Sequence, residues 1–216
     1  MVFVIKFKTI NMQIQKDDIN RRILVVARKL FITNGVRQTS MRQIACNSGI
    51  AVSNIYNYFQ SKDELFRAVL TPLLNAIDRY VESHNQDRHI TLDIFELKEF
   101  QEESIRDMLQ LIKEYKPELR LLFFHAETTS LEGYKDKLIE RQYIIGVEFL
   151  KLMKRRFPQL DTNISPFMLR VSSNSWMMIF LELLKQENIE DEVIRIGLNQ
   201  WSTYSIAGWK KLMNVK

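Results

Sequence analysis

Residues 39–64, TSMRQIACNSGIAVSNIYNYFQSKDE, hold two helix-start signals and one chain reversal at spacings that few folds accommodate. Ser40 followed three residues later by Gln43 is a capping-box pattern: the serine hydroxyl and the glutamine amide each satisfy a backbone N–H that the first turn leaves without a partner. Ile44 and Ala45 then face inward, and the small Ala45 lets another helix cross closely. Gly49 is the residue expected where the chain leaves a helix with positive φ. Ser61 and Glu64 repeat the capping pattern. The stretch therefore predicts a helix, a tight turn, a short second helix and the start of a third.

The segment between Gly49 and Gln60 carries the chemistry. At about 100° per residue, Val52, Ile55 and Phe59 fall on one face, while Ser53, Asn54 and Asn57 fall on the other and Tyr56 and Tyr58 flank them. The second face is short, uncharged and rich in amides and hydroxyls. Amides pair with adenine edges in a major groove, and tyrosine hydroxyls reach phosphates. This is the layout of a recognition helix.

Residues 44–66, IACNSGIAVSNIYNYFQSKDELF, resemble the N-terminal domain of TetR-family transcriptional regulators. The shared pattern is Ile44-Ala45, Gly49, the aliphatic-Tyr-x-Tyr-Phe run from Ile55 to Phe59, and the Ser-Lys-x-x-Leu start from Ser61 to Leu65. Two positions depart from it: Ala51 stands where the family often has a serine cap, and Ser53 where it often has glycine. The motif-level likeness covers residues 19–66; beyond them only length and helical character are similar. The resemblance implies an all-α homodimer that binds a pseudo-palindromic operator in double-stranded DNA, acts as a repressor, and is released by a small apolar or amphipathic effector. It assigns DNA contact to Arg42, Val52, Ser53, Asn54, Tyr56, Asn57, Tyr58 and Lys62.

Charge distribution agrees with a polyanionic partner. The 216 residues carry a net charge of +5, but residues 1–70 hold 11 Lys and Arg against 4 Asp and Glu, a balance of +7, and the remainder balances at −2. The basic excess thus lies with the helix-turn-helix. A single cysteine excludes an internal disulfide and a cysteine-built zinc site, and suits a reducing cytoplasm. Three histidines and no nucleophile elbow leave no Ser/His/Asp or Cys/His constellation, so no catalytic residue, metal site or cofactor is expected.

With 6 Gly and 4 Pro, long helices joined by short connections are favoured. Residues 1–16 contain an apolar run broken by Lys6 and Lys8, too short for a membrane span or a signal segment; they read as an arm, with Met12 an alternative start. A first helix is expected from Asp17 or Asp18 to Asn34, ended by Gly35. Another runs from Ser61 to about Val81, and Pro72 is expected to kink it. Further helices are expected at 92–115, with a break near Lys98, and at 117–128, 131–157, 166–186 and 191–213. The predicted division is a DNA-binding domain at 17–66 and a helical effector-binding and dimerisation domain at 67–214.

The stretch from Trp176 to Leu184 is apolar nearly all round, so its helix needs partners on more than one side. An ordinary monomer core satisfies that need as well as an interface does; the family likeness favours a four-helix dimer interface including Phe180, Leu184, Trp201 and Trp209. Among the aromatic residues of the middle helices, Phe123, Tyr143 and Trp176 are the candidates for an effector pocket, although the same residues suit a plain core. His125, beside Glu127, is a weaker candidate; nothing is read into His84 and His89. Cys46 is expected in packing and Lys154-Arg155-Arg156 at a solvated helix end. A constitutive architectural DNA binder with no effector is the alternative function, and the large aromatic C-terminal region argues against it, because DNA binding alone needs only the first 65 or so residues.

Overall fold

The computed structural model describes the backbone of residues 2–83, 90–96 and 98–215, and the side chains of residues 16–83, 90–96 and 98–215. Among these residues the chain is all-helical: α1 (Val2–Gln38), α2 (Met41–Asn47), α3 (Val52–Ile55), α4 (Lys62–Ser83), a 3-10 turn (Leu92–Phe95), α5 (Lys98–Phe124), α6 (Tyr134–Arg156), α7 (Pro166–Lys185) and α8 (Glu192–Leu212). His84 and His89 lie outside the described residues.

The helix boundaries follow from caps. Ser40 Oγ accepts from the Gln43 N–H at 3.2 Å, and Gln43 Oε1 accepts from the Ser40 N–H at 2.8 Å, so the capping box is complete. Ser165 Oγ accepts from the Met168 N–H ahead of Pro166 in the first turn of α7, and Asp191 Oδ1 accepts from the Val193 N–H at the start of α8. At α4, Ser61 Oγ accepts from the Glu64 N–H, but the Glu64 carboxylate reaches the Gln60 N–H instead of closing a box on Ser61.

Three expectations are corrected. The first helix does not open at Asp17 or Asp18: α1 begins at Val2, because residues 2–17 contain neither glycine nor proline to interrupt it. Its regular part still ends at Gly35, whose φ of +78° is left-handed. The segments expected at 98–115 and 117–128 form one helix, α5, interrupted at Tyr115 (φ −122°, ψ 20°). Pro117 is the cause, since it lacks an N–H and its ring crowds the carbonyl one turn earlier. Cys46 is exposed instead of packed: α2 buries Met41, Ile44 and Ala45, and Cys46 projects from the opposite side.

By internal contacts the chain divides into two units. The first comprises residues 1–74 and 120–132. Its core is Ile23, Ala27 and Phe31 of α1, Ile44 and Ala45 of α2, Ile55 of α3, and Leu65, Phe66 and Leu70 of α4, each with no exposed surface. Phe31 and Phe66 meet edge to face at 5.5 Å. Complete burial of such rings contributes about 1.5–3 kcal/mol each, which fixes α4 against α1. Ser130 joins this unit through its N–H, which donates to Asp63 Oδ1 at 2.7 Å, and through its hydroxyl, which Arg67 reaches at 3.2 Å.

The second unit comprises residues 75–119 and 133–216. Phe95, Leu150, Met153, Leu160, Leu169 and Met213 form one buried cluster in it. Trp176 stacks between Tyr80 and Phe180, with ring centroids 6.3 and 5.8 Å away. Arg141 of α6 pairs with Asp78 of α4, and Lys113 of α5 with Glu190 in the loop before α8, all within the same unit. Lys154 is not simply solvated: its ammonium donates to the carbonyls of Pro158 and Leu160 at 2.8 Å each, closing the loop after α6.

Candidate functional site

Gly49 turns the chain with φ +68° after α2, and α3 follows as a single turn of helix. Ile55 is wholly buried and Phe59 nearly so, and these two seat the segment on the core. Val52, expected on the same inward face, is 41% exposed instead. It lies at the first position of α3, ahead of the turn that packs. Ala51 provides no side-chain cap, so the α3 start has no hydroxyl holding its N–H groups.

Ser53, Tyr56 and Asn57 are exposed, and Asn54 and Tyr58 half-buried, leaving a polar, uncharged surface on the first unit. Asn57 Nδ2 donates to Asn54 Oδ1 at 2.9 Å, so the two amides order each other across one turn. Arg42 is exposed on the first turn of α2, beside the capping box. Lys62 sits differently from the rest. Its Nζ donates to the carbonyls of Val36 at 2.8 Å and Thr39 at 3.0 Å, while Thr39 Oγ1 donates to the Gly35 carbonyl at 2.8 Å. The lysine thus holds the turn between α1 and α2, and an ammonium has a third N–H beyond those two.

The second unit holds a cavity of about 480 Å³ that is partly open to solvent. Its walls come from the 3-10 turn and from α5, α6, α7 and α8, with Phe95, Phe100, Phe149, Trp176, Trp201 and Trp209 as the aromatic surface. Of the three expected pocket residues, Trp176 lines it; Phe123 and Tyr143 do not. Phe123 falls within residues 120–132, which belong to the first unit. The Tyr143 ring lies under the Arg170 guanidinium at 3.9 Å, and that guanidinium also pairs with Glu140. Polar wall residues that sequence reasoning missed are Gln101, Ser104, Gln142, Ser172, Ser173, Ser202 and Ser205; the spacing of three in Gln101 and Ser104 on α5 and in Ser202 and Ser205 on α8 is the one signal for them.

Of the expected interface residues, Phe180 is 3% exposed and Leu184 fully buried within the chain itself. Trp201 and Trp209 line the cavity, and Trp201 is also 41% exposed. The uncovered apolar stripe is a different one: Phe167, Val171 and Met178 on α7, and Val193, Ile196 and Tyr204 on α8. Met178 and Val193 are 66% and 75% exposed. Among the described residues no helix is long and apolar enough to cross a membrane.

A polar short helix presented after a glycine turn, between α2 and α4, has the layout of a helix-turn-helix, and a second, all-helical unit accompanies it. Residues 23–69 match the model of the bacterial regulatory proteins of the tetR family. That match spans 47 of the 216 residues, and over that segment the chain is similar to the tetR family. YfiR of Bacillus subtilis strain 168, an uncharacterised HTH-type transcriptional regulator, is 23% identical over 145 residues, covering 67% of this chain and 68% of YfiR. Further HTH-type regulators match at 35% and 33% identity, but over 60 and 48 residues, less than a third of their own length. The fold is shared with a TetR-like regulator from Rhodococcus sp. RHA1, at a TM-score of 0.60 and 16% identity over 90% of this chain and 95% of that one. AibR, solved with isovaleryl coenzyme A and operator DNA, superposes at a TM-score of 0.56 and 19% identity over 86% of this chain and 96% of AibR.

Proposed function

We propose that this chain is a DNA-binding transcriptional regulator of the TetR family, a homodimeric repressor that binds a pseudo-palindromic operator and is released by a small effector. The observation that carries the reading is the cavity of about 480 Å³ in the second unit, a volume suited to a drug-sized molecule and unnecessary for DNA binding alone. We assign DNA binding to residues 17–66 and effector binding and dimerisation to residues 67–214. Within the first domain, Arg42, Val52, Ser53, Asn54, Tyr56, Asn57, Tyr58 and Lys62 contact DNA, with the asparagines at base edges and the tyrosines and lysine at phosphates. AibR's recorded ligand and operator are consistent with such a pairing. DNA as partner sets the work in the cytoplasm.

Dimerisation uses the outward stripe of α7 and α8. Phe167, Val171 and Met178 recur within one 40° sector of α7, and Val193, Ile196 and Tyr204 within one 80° sector of α8, by helical geometry. An exposed apolar surface of this kind is covered by self-association through a two-fold contact. Trp201 joins the stripe at its edge, whereas Phe180 and Leu184 support it from behind.

For release, the effector need only favour the conformation that does not bind DNA. A typical coupling of about 1–3 kcal/mol yields roughly 5–150-fold loss of operator affinity. α4 and α5 each contribute residues to both units, so a change along either helix reaches the DNA-binding part through the covalent chain. The test is recovery of bound DNA from cells, followed by operator titration with and without compounds that raise thermal stability. A pseudo-palindromic site and reciprocal release are expected. A protein that no compound stabilises, or whose operator affinity ignores a saturating one, is an architectural binder instead.

A further inference from the structure

We infer that the cavity of the second unit selects effectors without net charge, carrying an amide, alcohol or ketone on an aromatic or alicyclic skeleton. The inference rests on the effector reading above and narrows it to a chemical class. All 24 described wall residues are uncharged. Among them is no Asp, Glu, Lys, Arg or His, so these residues offer no counter-ion for a carboxylate, a phosphate or an ammonium.

 

Burying an ion where nothing pairs with it is strongly unfavourable, so a charged ligand would shed its charge or stay in water. The cavity does supply neutral hydrogen-bonding groups. Gln101 and Ser104 lie one turn apart on α5, and Ser202 and Ser205 one turn apart on α8. Ser202 Oγ donates to Gln101 Oε1 at 3.2 Å, which brings the two strips together. That bond uses the Gln101 oxygen and leaves its N–H2 group to donate to a ligand oxygen, while the Ser202 oxygen still accepts from a ligand hydroxyl or amide. Ser104 hydrogen-bonds Tyr80, whose hydroxyl burial pushes up to about 12, so this partner is also neutral at physiological pH. Gln142, Ser172 and Ser173 add further neutral polar groups; the rest of the wall is apolar or aromatic, and Trp176, Phe149 and Trp209 offer flat faces to a ring system.

The experiment uses the full-length protein without DNA and four naphthalenes of nearly equal shape: 2-naphthamide, 2-naphthalenemethanol, 2-naphthoate and 2-naphthylmethylammonium. Affinity is read by titration calorimetry at pH 7.5. The amide and alcohol are expected to bind, and each ion to bind at least about tenfold more weakly or not at all. Gln101→Glu should turn the preference toward the ammonium and Gln101→Lys toward the carboxylate, with circular dichroism confirming that each variant is folded. A wild-type protein that binds either ion as tightly as the neutral pair, or binds neither neutral compound at millimolar concentration, overturns the inference. So does a folded pair of Gln101 variants with unchanged selectivity. Because no DNA is present, failure of operator release would sink the proposed function and leave this selectivity result standing.

Discussion

The Lys62 ammonium lies 2.8 Å from the Val36 carbonyl oxygen and 3.0 Å from that of Thr39, so the first residue of α4 closes the turn that joins α1 to α2. The same side chain was expected from sequence to hold the DNA backbone. Two of its three N–H groups are committed within the protein, and both roles therefore bear on one substitution.

Lys62→Ala removes two hydrogen bonds from a charged donor and leaves two turn carbonyls to water. A loss of about 1–3 kcal/mol of unfolding free energy is expected, read by urea denaturation. If the remaining N–H also meets a phosphate, the slope of log affinity against log salt falls by about one. Unchanged stability would remove the structural role, and an unchanged slope the phosphate contact.

Asn54 and Asn57 face the next measurement. Their 2.9 Å hydrogen bond orders two amides on the exposed side of the recognition segment. Asn54→Ala is expected to cost roughly 1–3 kcal/mol at one base-pair position and little elsewhere. Titration against a panel of single-position operator variants reads this directly; equal losses on every duplex would assign Asn54 to the backbone instead.

Gly49 has φ +68°, and a Cβ added there meets nothing within 4 Å. Any cost of Gly49→Ala is therefore backbone strain, about 1–2 kcal/mol, and Gly49→Asn should lose less because asparagine tolerates the left-handed region. Thermal unfolding of the two variants side by side tests the order. Alanine as stable as glycine would mean that the turn can relax.

Much of the fold was legible because caps and turns are local chemistry. Ser40 with Gln43, Ser165 before Pro166, and Asp191 each mark a helix start through bonds spanning two or three residues. What faces what was less legible. The α7 run from Trp176 to Leu184 is apolar on all sides, so periodicity alone could not tell that Phe180 and Leu184 turn inward while Met178 stays exposed. Tyr143 was a reasonable pocket candidate by composition, yet Arg170, remote in sequence, covers its ring. The polar strip of Gln101 and Ser202 depends on residues 101 positions apart meeting, which no local pattern reports.

Met178 and Tyr204, 66% and 71% exposed, test the assembly. A wild-type dimer at micromolar concentration is expected in sedimentation. Met178→Asp and Tyr204→Asp should each dissociate it, since an unpaired charge in an apolar contact costs several kcal/mol. Because both side chains are exposed in the single chain, the variants should keep the wild-type circular dichroism. A monomeric wild type that binds a single half-site tightly contradicts the dimer.

Trp176 links the cavity to the rings around it: it lines the wall and stacks on both Tyr80 and Phe180. Trp176→Leu removes the larger part of a flat contact surface from any bound effector. A loss of about 1.4 kcal/mol or more, tenfold in effector affinity, is expected. Operator affinity without effector should stay within about twofold, because DNA contact is assigned to residues of the other unit. Tyr143→Leu and Phe123→Leu, which alter no cavity wall, should leave effector affinity nearly unchanged. The four measurements separate the roles: parallel loss of effector response in all three variants would mean that the effector binds outside this cavity, and loss of operator affinity in Trp176→Leu alone would mean that Trp176 stabilises the DNA-binding conformation itself.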